Sequence, residues 1–209
     1  MAFEREALRS WVKQVNKLQV LLVVGNCAED SATRTVLYRA KELLEGEGCE
    51  VDVFDCASED LPLFNVETAY FRPAFASIKA RVKSADVFAL GSPDYHGSVS
   101  SAMKNFLDHF WTEYAGKLIV SIVGSHEKGL TVHDQIRTVA RQCYAWTLPY
   151  GISFHERSDF TESKAVGEAL ESRLKMMAGD VARYGGVLAA QRARDLSADY
   201  EGFMARYRA

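Results

Sequence analysis

The sequence predicts an α/β domain in which helices wrap both faces of a five-stranded parallel sheet. Two observations carry this. Apolar runs such as LQVLLVV (18–24) and LIVSIV (118–123) have the unbroken character of strands buried on both faces. Between such runs lie segments whose apolar residues recur every three to four positions, as an amphipathic helix requires. Strictly alternating units of this kind connect through right-handed crossovers and leave the strands parallel.

The elements follow in order. Phe3, Leu8, Trp11, Val12 and Val15 fall near helical spacing, so residues 3–16 are expected to form a helix ahead of the domain. The first strand, 18–24, ends at Gly25. Val36, Leu37, Ala40, Leu43 and Leu44 mark a helix stopped by Gly46 and Gly48. A second, short strand covers 51–54, and a long connection containing LPLF runs from 56 to 70. Pro73 suits the first turn of a helix reaching about residue 83. The third strand, 87–90, ends in the loop GSPDYHGS, and a helix over about 99–113 follows. The fourth strand, 118–123, ends at Gly124 and Ser125. A helix over about 132–146, a weaker fifth strand at 152–154, a helix over about 162–188 and a last helix over 198–207 complete the chain. The expected division is an N-terminal helical extension (1–17), one domain (18–190) and a C-terminal helical tail (191–209).

The 209 residues suffice to bury a core without metal or disulfide staples. Hydrophobic residues make up 48% and charged residues 25%, with a formal net charge of -3, and no basic face stands out to favour nucleic acid. Cys27, Cys49, Cys56 and Cys143 form neither a C-x-x-C pair nor a zinc-spaced set with histidine. No metal site is expected, and scattered thiols suit a reducing cytoplasm. The N-terminus lacks the pattern of a signal peptide, and no apolar run is long enough to span a bilayer.

Five such units fit the flavodoxin-like strand order 2-1-3-4-5. Ligands of that architecture bind beyond the carboxyl ends of the strands, at the switch point between strands 1 and 3. The loops after strands 1, 3 and 4 should therefore converge. The first, GNCAEDSATRT (25–35), enters a helix. Ser31 and Thr33 can either hold a phosphate together with helix-start amides, with Arg34 adding charge, or simply cap the helix.

The second loop is more specific. Pro93, Asp94, Tyr95, His96, Gly97 and Ser98, followed by Lys104, Asn105 and Asp108, resemble the NADPH-dependent FMN reductase family over about residues 18–160. The resemblance implies FMN as cofactor, with the second loop along the flavin ring, and NADPH or NADH as electron donor. It also implies a small acceptor such as a quinone, azo compound, free flavin or metal ion. A homodimer or homotetramer is implied too. Backbone donors near the ring tune its electronics, and Gly97 supplies positive φ and close approach. Lys104, Asn105 and Asp108 read as helix-start and packing residues. By family position Gly124, Ser125, His126 and Gly129 of the third loop border the flavin or nicotinamide. His126 reads equally well as a solvated loop residue. No acid–base side chain is obligatory, so no catalytic residue is named.

The first loop departs from the family pattern. Asn26 and Ala28 stand where a serine and an arginine are usual, Thr33 replaces an asparagine, and Glu29 and Asp30 add negative charge. Two rival readings therefore stand beside the reductase. One is a binding or assembly protein that kept the fold and lost the cofactor. The other is a low-molecular-weight tyrosine phosphatase using Cys27, although the position six residues on is Thr33, the arginine, Arg34, falls one position late, and no Asp-Pro pair is present. Cys27 reads better as a small, mostly buried residue.

Overall fold

The computed structural model describes residues 17–199 and 201–208. The expected helix at 3–16, with Trp11, lies outside them. The order of elements is β1 (Gln19–Val24), α1 (Ala32–Gly46), β2 (Glu50–Asp55), α2 (Pro73–Ser84), β3 (Val87–Tyr95), β4 (Ser98–Val99) and α3 (Ser101–Asp108). Then come β5 (Leu118–Gly124), α4 (Leu130–Gln142), β6 (Trp146–Thr147), β7 (Ile152–Phe154), α5 (Glu168–Asp180) and α6 (Gly186–Ser197), the last two joined by a π-helical turn.

The main sheet runs β2-β1-β3-β5-β6, every pair parallel, with β7 also on β5. This is the expected strand order. Because side chains alternate along a strand, β1 feeds two cores. Val20, Leu22 and Val24 pack with Val36, Leu37, Ala40 and Leu44 of α1 and with Leu170, Leu174 and Met177 of α5. Leu21 and Val23 pack with Ile78 and Val82 of α2, Met103 and Phe106 of α3, and Ile136 of α4. Helices on both faces explain why the strands read as continuous apolar runs.

Six elements differ from the sequence reading. β3 does not end at Leu90. It stays paired with β5 as far as Pro93 opposite Gly124 and reaches Tyr95. Gly91, Ser92 and Pro93 look like turn residues in sequence. However, a Cβ at Gly91 would lie 2.4 Å from Leu37 Cδ2, so the glycine marks close packing of the first helix on the sheet. The helix expected at 99–113 stops at Asp108, with a 3-10 turn at Thr112–Tyr114. The helix expected to reach 146 stops at Gln142; Tyr144 takes φ 58°, and Trp146 begins a strand.

The fifth strand is consequently split. Trp146 pairs with Leu118 and Ile152 with Ile122, a register shift of two residues absorbed by 148–151, which contains Pro149. A proline cannot donate to a ladder, and the strand is interrupted where it stands. Finally, the helix expected at 162–188 begins at Glu168 and continues through the π-turn to Ser197, while the last expected helix shrinks to one turn at Ala205–Tyr207. Among the described residues no helix is long and apolar enough to cross a membrane.

Candidate functional site

The three loops do gather at the carboxyl ends of β1, β3 and β5. The Gly25 amide donates to Gly91 O at 2.8 Å, and Ser100 Oγ donates to Gly25 O at 2.5 Å. Asp94 joins the second loop to the third by accepting from Gly97 N at 2.8 Å and from Ser125 Oγ at 3.0 Å.

The first loop is organised by Arg34. Its Nε and Nη2 meet the Asp55 carboxylate at 2.6 and 3.0 Å. Its Nη1 donates to Ala28 O and Glu29 O at 2.6 and 2.7 Å, and Nη2 also donates to Asn26 O at 3.3 Å. All five guanidinium hydrogens are thus in use. Burial, the largest single influence, would raise the Asp55 carboxyl, but the hydrogen bond from Arg34, the Ala57 amide and the Arg34 charge together outweigh it and hold the group below its ordinary value. In a trans peptide the carbonyl of one residue and the amide of the next point in opposite directions. Gathering the carbonyls of 28 and 29 onto Arg34 therefore turns the amides of 29 and 30 the other way. Among the described residues, the amides of residues 29–33 have no protein acceptor. Ser31 caps α1 by accepting from Arg34 N at 3.3 Å, and among the described residues neither its own proton nor the Thr33 hydroxyl has a partner. A loop of free amides at a helix start is an anion cradle. These residues fit the phosphate of FMN.

The expectation for Arg34 is corrected accordingly. It does not extend charge toward a phosphate but shapes the loop that would hold one. The same commitment argues against a phosphatase, whose arginine needs free donors. Cys27 is corrected as well: it is exposed, with Sγ 3.5 Å from Cys56 O. Of the two acidic residues, Asp30 is drawn out to Lys164, Oδ2 to Nζ 2.6 Å, with both side chains mostly exposed.

The second loop is a two-residue hairpin, not an irregular loop. Tyr95 pairs with Ser98 and Asp94 with Val99, and the turn residues His96 and Gly97 take φ 57° and 76°. Two successive positive φ values mark the I′ turn that suits strand twist. Histidine is among the few non-glycine residues that enter this region readily, so His96 has a backbone role that its side chain did not announce. Tyr95 is exposed at the tip. Gln135 of α4 clamps the turn with three bonds: Oε1 accepts from Ser98 Oγ at 3.0 Å and Val99 N at 3.1 Å, and Nε2 donates to Gly97 O at 3.1 Å.

A cavity of about 760 Å³ is lined by Asp94, Gly97, Ser125, His126 and Gly129, together with Glu127, Lys128, Leu130 and Thr131. The cleft thus joins Asp94 and Gly97 of the second loop to the third loop, whereas Pro93, Tyr95, His96, Ser98 and Gly124 lie outside its lining. Ser31, Thr33 and Arg34 also lie outside its lining, in the loop after β1. Gly129 adopts φ 58° at the start of α4, and the exposed His126 ring meets His155 edge-on at 5.3 Å.

Sequence reasoning missed Asp55, Gln135 and the brace role of Arg34. Asp55 ends a short strand and Gln135 sits within a helix, and neither carries a local motif. Asn105, read as a packing residue, does hold structure: Oδ1 accepts from Phe64 N at 2.7 Å, and Nδ2 donates to Leu61 O and Pro62 O, fixing the long connection after β2. Lys104 and Asp108 form an exposed ion pair at 2.6 Å.

Comparison with known proteins agrees with this geometry. An FMN-dependent NADPH-azoreductase from Staphylococcus saprophyticus is 28% identical over 148 residues, covering 67% of this chain and 78% of the relative. One of the same description from Staphylococcus aureus is 27% identical over 154 residues, covering 69% and 80%. Among solved structures, an oxidoreductase from Corynebacterium diphtheriae superposes with TM-score 0.69 at 17% identity, covering 85% of this chain and 99% of that one. A flavoenzyme NAD(P)H:(acceptor) oxidoreductase from Paracoccus denitrificans gives TM-score 0.67 at 17% identity, covering 81% and 98%. The family model described as NADPH-dependent FMN reductase matches residues 18–158, spanning β1, the loop braced by Arg34, the hairpin and β7. The chain belongs to the NADPH-dependent FMN reductase family and is an FMN-dependent, NAD(P)H-using oxidoreductase.

Proposed function

We propose that the cradle and the cleft together form one FMN site, and that the enzyme passes electrons from NADPH to a small acceptor entering the same cleft. The observation that carries this is the run of amides at 29–33 that have no acceptor among the described residues, on a loop tied to β3 through the Gly25 amide and the Gly91 carbonyl. The amides, with the hydroxyls of Ser31 and Thr33, receive the phosphate. Pro93, Asp94, Tyr95, His96, Gly97 and Ser98 present backbone and one aromatic ring to the flavin edge. Ser125, His126 and Gly129 form the opposite rim, with Gly124 just before it at the end of β5. Bound there, the flavin supplies acceptance of hydride from the nicotinamide and its return to an acceptor. The protein's part is to orient the ring, keep one face open for stacking and balance the phosphate charge.

Azo compounds are the first acceptor class to test, because two of the relatives are named for azo reduction. Quinones, free flavin and metal ions follow. A homodimer, most simply two-fold, and a cytoplasmic location belong to the same reading; all four cysteines are free.

Titration with FMN and with riboflavin tests the site. FMN should quench with one site per subunit and bind at least ~10-fold tighter than riboflavin, since hydrogen bonds to a charged group are worth about 1.5–3 kcal/mol. Equal affinities would remove the phosphate from the cradle. NADPH oxidation measured with an azo dye and with a quinone then ranks the acceptors.

A further inference from the structure

His133, on α4, is buried between β5 and β7 and takes no part in the site described above. Its Nδ1 lies 2.6 Å from Ser121 Oγ and its Nε2 3.0 Å from Ser153 Oγ. Ser153 Oγ lies 2.6 Å from the Lys128 carbonyl oxygen. A carbonyl only accepts, so the single hydroxyl proton of Ser153 goes to Lys128, and Ser153 Oγ must accept from the ring. Nε2 therefore carries the ring proton, Nδ1 is bare, and Ser121 donates to it. The chain of bonds runs one way: Ser121 to His133, His133 to Ser153, Ser153 to Lys128.

The ring is held tightly in this arrangement. A Cβ at Gly151 would lie 2.4 Å from both Cε1 and Nδ1, so only glycine leaves room for it. Burial holds the ring below its ordinary pKa; Arg137 adds to this and Asp134 opposes it, so the neutral form prevails near neutral pH.

Lys128 belongs to the third loop, which lines the 760 Å³ cleft. The near end of that loop is tied by Ser125 N to Phe154 O at 2.9 Å, Ser125 Oγ to Asp94, and Glu127 N to Ser125 Oγ at 3.2 Å. At its far end, the tie on the Lys128 carbonyl is the bond from Ser153. We propose that His133 is a positioning residue that acts through Ser153 to fix the 125–129 loop and so the width of the cleft. Its consequence for cofactor binding rests on the reading of that cleft as the flavin site.

The test uses Ser153→Ala, Ser153→Thr and Ser121→Ala. Ring-nitrogen NMR of the wild type should show neutral His133 with its proton on Nε2. In apo protein, hydrogen exchange of the Ser125 and Glu127 amides should rise by about three- to tenfold in Ser153→Ala, the loss expected for one neutral hydrogen bond. Ser153→Thr, which keeps the hydroxyl, should restore it. Ser121→Ala, remote from the loop on β5, should give a smaller rise by freeing the ring to change tautomer. FMN affinity should weaken in parallel. A ring proton on Nδ1, or unchanged exchange in Ser153→Ala, overturns the proposal. Raised exchange with unchanged FMN affinity upholds the relay and instead removes the flavin from this cleft.

Discussion

Arg34 and Asp55 meet in a bidentate ion pair, Nε to Oδ2 2.6 Å and Nη2 to Oδ1 3.0 Å, with side chains only 19% and 11% exposed. The pair joins the start of the first helix to the end of the second strand. From that fixed point the guanidinium reaches the carbonyls of Asn26, Ala28 and Glu29, which set the direction of the loop amides.

Arg34→Lys should therefore damage cofactor binding although the charge is kept. A lysine offers a point charge where the site uses a planar fork. FMN affinity is expected to fall by about 10- to 100-fold, the worth of one or two charge-assisted bonds, while riboflavin affinity stays constant. Asp55→Asn should give a smaller loss in the same direction. Equal losses for FMN and riboflavin would show that Arg34 supports the fold rather than the cradle.

The hairpin gives a second prediction. A Cβ at Gly97 meets only Thr131 Oγ1, at an ordinary 3.6 Å, so space is not the obstacle there; φ 76° is. Gly97→Val forces a β-branched residue into a region it avoids, and FMN quenching should disappear. His96→Asn should bind FMN as the wild type does, because asparagine favours positive φ. Gln135→Leu, which removes all three clamps, should weaken FMN by several-fold with the turn chemistry intact. Undiminished FMN affinity in a folded Gly97→Val protein would take the flavin away from the hairpin.

Residues 25–33 carry no cation, and Glu29 stands among them with no partner among the described residues. A dianionic phosphate must shed part of its hydration to enter such a site. FMN should consequently dissociate on extensive dialysis. Ala28→Arg and Glu29→Gln should each tighten FMN, by up to ~10-fold, without changing riboflavin binding. Asp30→Asn should do little, because that carboxylate already faces Lys164. Retention of stoichiometric FMN through dialysis would refute the argument.

A fourth prediction concerns stability. Lys117 is 2% exposed, and its Nζ donates to Val82 O and Lys83 O at the end of α2. Burial pushes its ammonium down to about 7 from an ordinary 10.5, and Arg192 adds to the effect. The folded pKa lies below the unfolded one, so the unfolded chain binds more protons and stability rises between about pH 7 and 10.5. The slope approaches about 1.4 kcal/mol per pH unit. Cys56, pushed up to about 12 by burial, works the other way above pH 9. Thermal unfolding at pH 7, 8 and 9 should show stability rising in the wild type more steeply than in Lys117→Met. Parallel profiles would exclude Lys117 as the source.

Much of this protein was legible along the chain. The runs 18–24 and 118–123 fixed buried parallel strands, because only a sheet covered on both faces makes such runs favourable. Alternation and handedness gave a parallel sheet covered on both faces, and the flavodoxin-like plan that five such units fit supplied the strand order and the convergence of three loops. The hairpin residues Pro93 to Ser98 carried the family resemblance by local spacing. Tertiary contacts decided the rest. Gly91 to Pro93 became strand because the first helix and β5 crowd them there, a pressure that outweighs their preference for turns. Arg34 stayed ambiguous until Asp55, 21 positions away in sequence, came within 2.6 Å and claimed its charge. Gln135 and His133 are ordinary helix residues until packing sets one against the hairpin and the other between two serines. A side chain's available donors depend on what folding places around it, and that information is not local to the sequence.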